Sequence, residues 1–179
     1  MADRQRTHRL VIGIMGPSSC SQAIAALARQ VGEEIARRGA VLLCGGGSGV
    51  MEAACEGARR AGGLTLGILP GANLYQSPPN AFVDVALFTG VGQARNWINV
   101  CASDAVIAIG KGYGALSEIA LSVKAGKTTV LLDSWQLEPP PKGEACQAHP
   151  CPGTLRYAST PVEAVELALG AVGGGGITG

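Results

Sequence analysis

Ala40-Val41-Leu42-Leu43-Cys44-Gly45-Gly46-Gly47-Ser48-Gly49-Val50-Met51 decides the fold. Five apolar residues in unbroken succession, too few for a helix, read as a strand buried on both faces. The glycines that follow make a tight corner, and Val50 to Ala61 resumes at helical spacing. A buried strand turning through glycine into a helix is half of a βαβ unit.

Working outward, the same alternation runs through the chain. Upstream lie a strand at Leu10 to Met15 and a helix at Ser21 to Arg38; downstream, a strand at Thr65 to Leu69. The second half continues with a strand at Val83 to Phe88, a helix at Gln93 to Ala102, a strand at Ala105 to Ile109, a helix at Ala115 to Ala125 and a strand at Thr128 to Leu132. This order predicts an α/β fold: a Rossmann-like parallel sheet between helices, with right-handed crossovers. From Ser134 to Ser159 prolines and glycines interrupt the pattern, predicting a long loop closed by a short strand near Leu155 to Tyr157. A last helix, Pro161 to Val172, has Thr160 as N-cap and proline at its first position. Residues 1–172 are therefore expected to form one ligand-binding domain, and 173–179 a flexible glycine-rich tail.

The 179 residues are 47% hydrophobic and 15% charged, with a formal net charge of +1. That supports a single substantial core and gives no basic field for nucleic acid. Neither a signal peptide nor a membrane span is expected, because glycine, proline and serine break the first apolar run at once. Cys44, Cys55 and Cys101 read as small core residues in a reducing, cytoplasmic setting. Cys146, His149 and Cys151 lack a fourth ligand and paired spacing, so no metal site is expected.

Three strand-to-helix turns are rich in glycine: Gly13 to Ser19, Gly45 to Gly49, and Gly110-Lys111-Gly112-Tyr113-Gly114. Glycine alone makes the corner, so any one turn is indecisive. Three on the carboxyl edge of a parallel sheet, where helix starts converge, predict an anion cradle of backbone N–H groups. The phosphate-binding candidates are Gly45, Gly46, Gly47, Ser48, Gly49, Gly110, Lys111, Gly112, Tyr113, Gly114 and Ala115. Gly16, Ser18, Ser19 and Met51 are further contact candidates. A dinucleotide site is not expected, since the first turn lacks G-x-G-x-x-G and the second strand ends without an acid for a ribose. Gly126-Lys127-Thr128 runs from helix to strand, the reverse of a phosphate loop.

Arg95 and Glu118 each fall in the first turn of a helix. An acid there complements the helix dipole, whereas a base opposes it, so Arg95 invites a functional explanation. If the two side chains meet across the crevice, Arg95 can grip an oxyanion and Glu118 can exchange a proton. A structural ion pair between the two helices is the alternative.

Gly45-Gly46-Gly47-Ser48-Gly49-Val50-Met51 followed by Gly112-Tyr113-Gly114-Ala115-Leu116-Ser117-Glu118 resembles the Lonely Guy superfamily, once labelled lysine decarboxylases, with its GGG-x-x-G-[LV]-M and P-G-G-x-G-T-x-x-E signatures. Gly92 to Asn99 and Gly67-Ile68-Leu69-Pro70-Gly71 look more like the branch that includes molybdenum-cofactor carrier proteins. The resemblance covers about Leu10 to Leu132. It implies either carriage of molybdenum cofactor or a similar pterin or nucleotide, or hydrolysis of the N-glycosidic bond of a nucleoside 5′-monophosphate, with Arg95 and Glu118 as the catalytic pair. It also implies a homodimer or higher homo-oligomer through the Gln93 to Ala102 helix. Gly110, Lys111 and Ala115 replace the proline, glycine and threonine of the enzyme motif. Losing the threonine hydroxyl removes a phosphate donor, which Lys111 is expected to replace electrostatically. These departures favour binding over hydrolysis, and no resident cofactor is expected. A pyridoxal-phosphate decarboxylase has no supporting lysine context.

Overall fold

The computed structural model describes residues 9–138 and 153–173. Seven strands, β1 (Val11–Met15), β2 (Val41–Cys44), β3 (Thr65–Leu69), β4 (Val85–Phe88), β5 (Ala105–Ile109), β6 (Thr128–Leu132) and β7 (Thr154–Ala158), form one sheet. Their order is β4-β3-β2-β1-β5-β6-β7, and every pairing is parallel. Five helices complete the domain: α1 (Gln22–Arg37), α2 (Val50–Arg60), α3 (Arg95–Ala102), α4 (Tyr113–Lys124) and α5 (Pro161–Gly173).

The helices lie on both faces, as consecutive apolar strand positions require. Ile12, Ile14, Leu42, Ile107 and Leu132 point into a core closed by α1, α2 and α5. Met15, Val106, Ala108 and Leu131 point the other way, into a smaller core under α4. The apolar run of β4 departs from this rule. Its strand begins at Val85 rather than Val83 and sits on the sheet edge, leaving Val85 and Leu87 42% and 48% exposed.

Local sequence explains the element ends. Ser21 caps α1 by accepting from the Ile24 N–H at 3.3 Å. Thr160 accepts from the Glu163 N–H at 3.2 Å, while the Glu163 carboxylate accepts from the Ser159 N–H at 2.7 Å, so α5 starts where its capping residues dictate. The expected short strand near Leu155 is the full strand β7, paired with β6 along its length. The Cys146, His149 and Cys151 group and the tail beyond Gly173 lie outside the described residues. Cys44 and Cys55 are buried as expected, but Cys101 is exposed. The inward stripe of α3 is Asn96, Asn99 and Val100, and Cys101 falls off it.

The chain steps outward from β1 through β2 and β3 to β4, then returns to lay β5 against the other side of β1. Connections therefore diverge at the carboxyl ends of β1 and β5, and a crevice opens between them.

Candidate functional site

A cleft of about 280 Å³ occupies that crevice. Gly16, Pro17 and Ser18 leave β1 along one wall. A Cβ at Gly16 would strike the Val50 side chain and come within 2.7 Å of the Ile109 carbonyl oxygen, so only glycine lets the turn pass between α2 and β5.

The second glycine turn is held from behind. Gly49, with φ +66°, stands at the N-cap of α2 and presses on Pro17 and Ser18. The Val50 N–H donates to the Pro17 carbonyl at 3.1 Å and the Ser48 hydroxyl to the Ser18 carbonyl at 2.8 Å. Asn80, in the β3–β4 connection, donates its side-chain amide to the Gly47 carbonyl at 2.8 Å and its backbone N–H to the Gly46 carbonyl at 2.8 Å. The Gly46 N–H points inward to Cys44 Sγ, 3.3 Å away. Its sulfur is 3.5 Å from that of Cys55, whose thiol is pushed up by its hydrogen bond to Cys44 and by burial.

The third turn opens directly on the cleft. α4 starts at Tyr113, two residues earlier than its apolar pattern suggests, and its N-cap Gly112 supplies no side-chain cap. The first N–H groups of α4 thus remain available at the positive end of a twelve-residue helix. A Cβ at Gly114 would meet open space. Tyr113 is 85% exposed at the mouth, its ring tilted by 40° against Trp135 at a centroid separation of 6.2 Å.

Arg95 and Glu118 do meet. Arg95 Nη1 is 3.6 Å from Glu118 Oε1, and both side chains are largely buried. The Arg95 guanidinium lies flat on Gly45, where any Cβ would collide with it. Its Nε is buried without a partner. Glu118 is 5% exposed, and its Oε1 also accepts from Asn99 Nδ2 at 2.8 Å. Burial raises its pKa, opposed by the Asn99 hydrogen bond and the Arg95 charge. Glu118 stands in the second turn of α4, not the first, because the helix starts earlier than its apolar pattern suggests; the helix-dipole explanation for it falls away. Asn96 Nδ2 donates to Ser117 Oγ at 2.8 Å, pinning α3 to α4 beside the pair.

Of the residues singled out in the sequence, the cleft is lined by Gly16, Ser18, Gly45, Met51, Arg95, Gly112, Tyr113, Gly114, Ala115 and Glu118. Ser19, Gly46, Gly47, Ser48, Gly49, Gly110 and Lys111 stand outside its lining. Lys111 is exposed, so this geometry gives no support to the expected electrostatic substitution for the missing threonine. Sequence reasoning missed Met15, Gln93 and Asn96 in the lining, and Asn80 and Asn99 behind it. The available signal for the α3 residues was the i, i+3 spacing of two asparagines on a helix face that must be buried.

Fold and crevice together define a Rossmann-like protein of the Lonely Guy type. The chain belongs to the SLOG cluster4 family, whose model matches residues 9–165. Within that superfamily it lies near the molybdenum-cofactor carrier branch. The molybdenum cofactor binding protein of Rippkaea orientalis is 41% identical, with a TM-score of 0.78 over 92% of this chain and 98% of that one. The molybdenum cofactor carrier protein of Chlamydomonas reinhardtii is 33% identical, with a TM-score of 0.77 over 93% and 99%. A cytokinin riboside 5′-monophosphate phosphoribohydrolase of Mycobacterium tuberculosis is 34% identical over 116 residues, 61% of this chain and 62% of that one. No helix among the described residues is long and apolar enough to cross a membrane.

Proposed function

We propose that this chain binds a phosphate-bearing, nucleotide-like ligand in the switch-point cleft, and that it acts as a molybdenum-cofactor carrier. The observation that carries the binding reading is the convergence of uncapped α4 N–H groups with a buried guanidinium whose Nε has no partner. A phosphate in the cleft satisfies the α4 donors and pairs with the charge of Arg95, which lines the same cleft. The residues fit such a ligand: Tyr113, Gly114 and Ala115 offer backbone donors, Arg95 a charge, and exposed Tyr113 a flat ring at the mouth for a heterocycle. The cofactor supplies its own metal chemistry as cargo, while this chain binds, orients and shields it.

Carriage is preferred to hydrolysis for two reasons. Ala115 is buried in the first turn of α4 and offers no hydroxyl there. The similarity to carrier structures spans nearly both whole chains, whereas the similarity to the phosphoribohydrolase spans under two thirds of each. The second reading stays specific because Arg95 and Glu118 are adjacent: in a hydrolase, Glu118 assists attack of water at the anomeric carbon while Arg95 steadies developing charge.

Calorimetric titration with molybdenum cofactor and with nucleoside 5′-monophosphates, alongside chromatography for released base, separates the two. Carriage predicts binding without base release. Gly45→Ala is the matching variant, because its methyl group would collide with the Arg95 guanidinium that lines the cleft. It is expected to weaken binding about tenfold or more, the scale of one lost charge-assisted contact. Free base released by the parent and not by Glu118→Gln would establish the hydrolase instead. Unchanged affinity in Gly45→Ala would place the ligand elsewhere.

A further inference from the structure

Asn99 is fully buried on the inward face of α3, and its side chain has one partner, Glu118 Oε1, at 2.8 Å. Its own Oδ1 is buried with no hydrogen bond. A buried asparagine with half its amide unsatisfied is costly in a core that an apolar side chain would fill better. The hydrogen bond it does make therefore asks for an explanation.

The carboxylate supplies it. Oε1 receives the Asn99 N–H and lies 3.6 Å from the Arg95 guanidinium, so that oxygen is surrounded by donors. Oε2 accepts no hydrogen bond among the described residues and is not fully buried, and Glu118 lines the cleft. The two oxygens are thus made unequal by their surroundings: one is anchored and the other left open.

We propose that Asn99 is the positioning residue of this site, anchoring Glu118 through Oε1 so that Oε2 is the oxygen presented to the ligand. The claim deepens the binding reading above and rests on it only for what Oε2 then touches. A donor on Oε1 disfavours a proton there, so a proton on Glu118 is favoured on Oε2, where it is available as a donor to the ligand. The charged and titratable groups facing the carboxyl are Arg95 from α3 and Cys44 from the end of β2. Asn99 adds a neutral donor that favours the ionised form more strongly than Arg95 does.

The test needs no ligand. In the unmodified protein, NMR of the Asn99 side-chain amide and of the Glu118 carboxyl carbon should show one shared titration midpoint. An Asn99 amide that stays flat while Glu118 titrates overturns the proposal. Asn99→Leu removes the donor at similar size and should move the Glu118 midpoint to higher pH. Asn99→Asp places a second carboxyl against Oε1 and should move it higher still. A midpoint unmoved in either variant that folds also overturns the proposal. A separate arm uses adenosine 5′-monophosphate as the probe: Asn99→Leu should weaken its binding in the parent and add nothing in a Glu118→Gln background. If the parent fails to bind this probe, the binding reading loses support while the titration result stands by itself. Additive losses in the two backgrounds would mean that Asn99 acts independently of Glu118, contrary to the proposal.

Discussion

Glu118 shows how a single residue carries the conflict between stability and site chemistry. Its carboxyl is held at 5% exposure, and burial raises its pKa above the ordinary 4.5 in spite of Asn99 and Arg95. Below pH 4.5 the folded and unfolded chains both hold the proton, so burial of the neutral acid carries no electrostatic penalty. As pH rises through the folded value, the native state must ionise a buried group that the unfolded chain ionises more easily, and stability falls. Glu118→Gln imitates the neutral acid. Its thermal midpoint should therefore exceed that of the parent at pH 8, with the gap closing as pH falls from the raised folded value to 4.5. A gap that is constant with pH would show that folding does not raise the Glu118 pKa, and a less stable variant at pH 8 that the Arg95 pairing outweighs burial. Asn80 belongs to the same scale, since one side chain from a distant connection fixes two carbonyls of the glycine turn.

Elements were far more legible than contacts. Unbroken apolar runs such as Val41–Cys44 and Ala105–Ile109 betray strands buried on both faces, and glycine corners betray their ends. The site was legible only as far as local pattern reaches. Gly112-Tyr113-Gly114 announces a helix start, and Arg95 at a positive helix end announces a misfit needing explanation. Asn80 was illegible, and the spacing of Asn99 told only that it faces inward, because each acts across the fold, on partners 33 and 19 residues away. In the second glycine turn one local pattern carries two demands, since Gly49 packs closely on Pro17 and Ser18 while Gly45 lines the cleft. Close packing also governs α1 and α2, which touch backbone to backbone. A Cβ at Gly57 would collide with the Arg29 carbonyl, and one at Gly32 with the Ala54 carbonyl. Neither carbonyl can swing away as a side chain can. Gly57→Ala should therefore destabilise the fold by roughly 1–3 kcal/mol through overpacking, despite the better helix propensity of alanine. Urea unfolding would read this directly, and a stability equal to the parent would mean that the helices can move apart without cost.

At the scale of the whole molecule, the two faces of the sheet are unequally covered. Three helices lie over one face, whereas α3 and α4 cover only part of the other. On that second face, register pairs half-buried Leu66 with Val85 and buried Ile68 with Leu87, so the edge strand carries the sheet's apolar stripe out to its rim. Val85, Leu87, Trp97 and Ile98 are all substantially exposed. Val85 and Leu87 on one face of the edge strand, and Trp97 and Ile98 on α3, are exposed apolar side chains of the kind an interface covers. A homodimer with its two-fold axis near α3 would bury these side chains on both copies and set the helix that carries Arg95 and Asn99 against a neighbour. The expected outcome is a dimer by light scattering at micromolar concentration, converted to monomer by Trp97→Glu combined with Leu87→Lys. Those substitutions spare every residue that lines the cleft. A parent protein that runs as a monomer would remove the idea. A double variant that stays dimeric would move the interface to another surface.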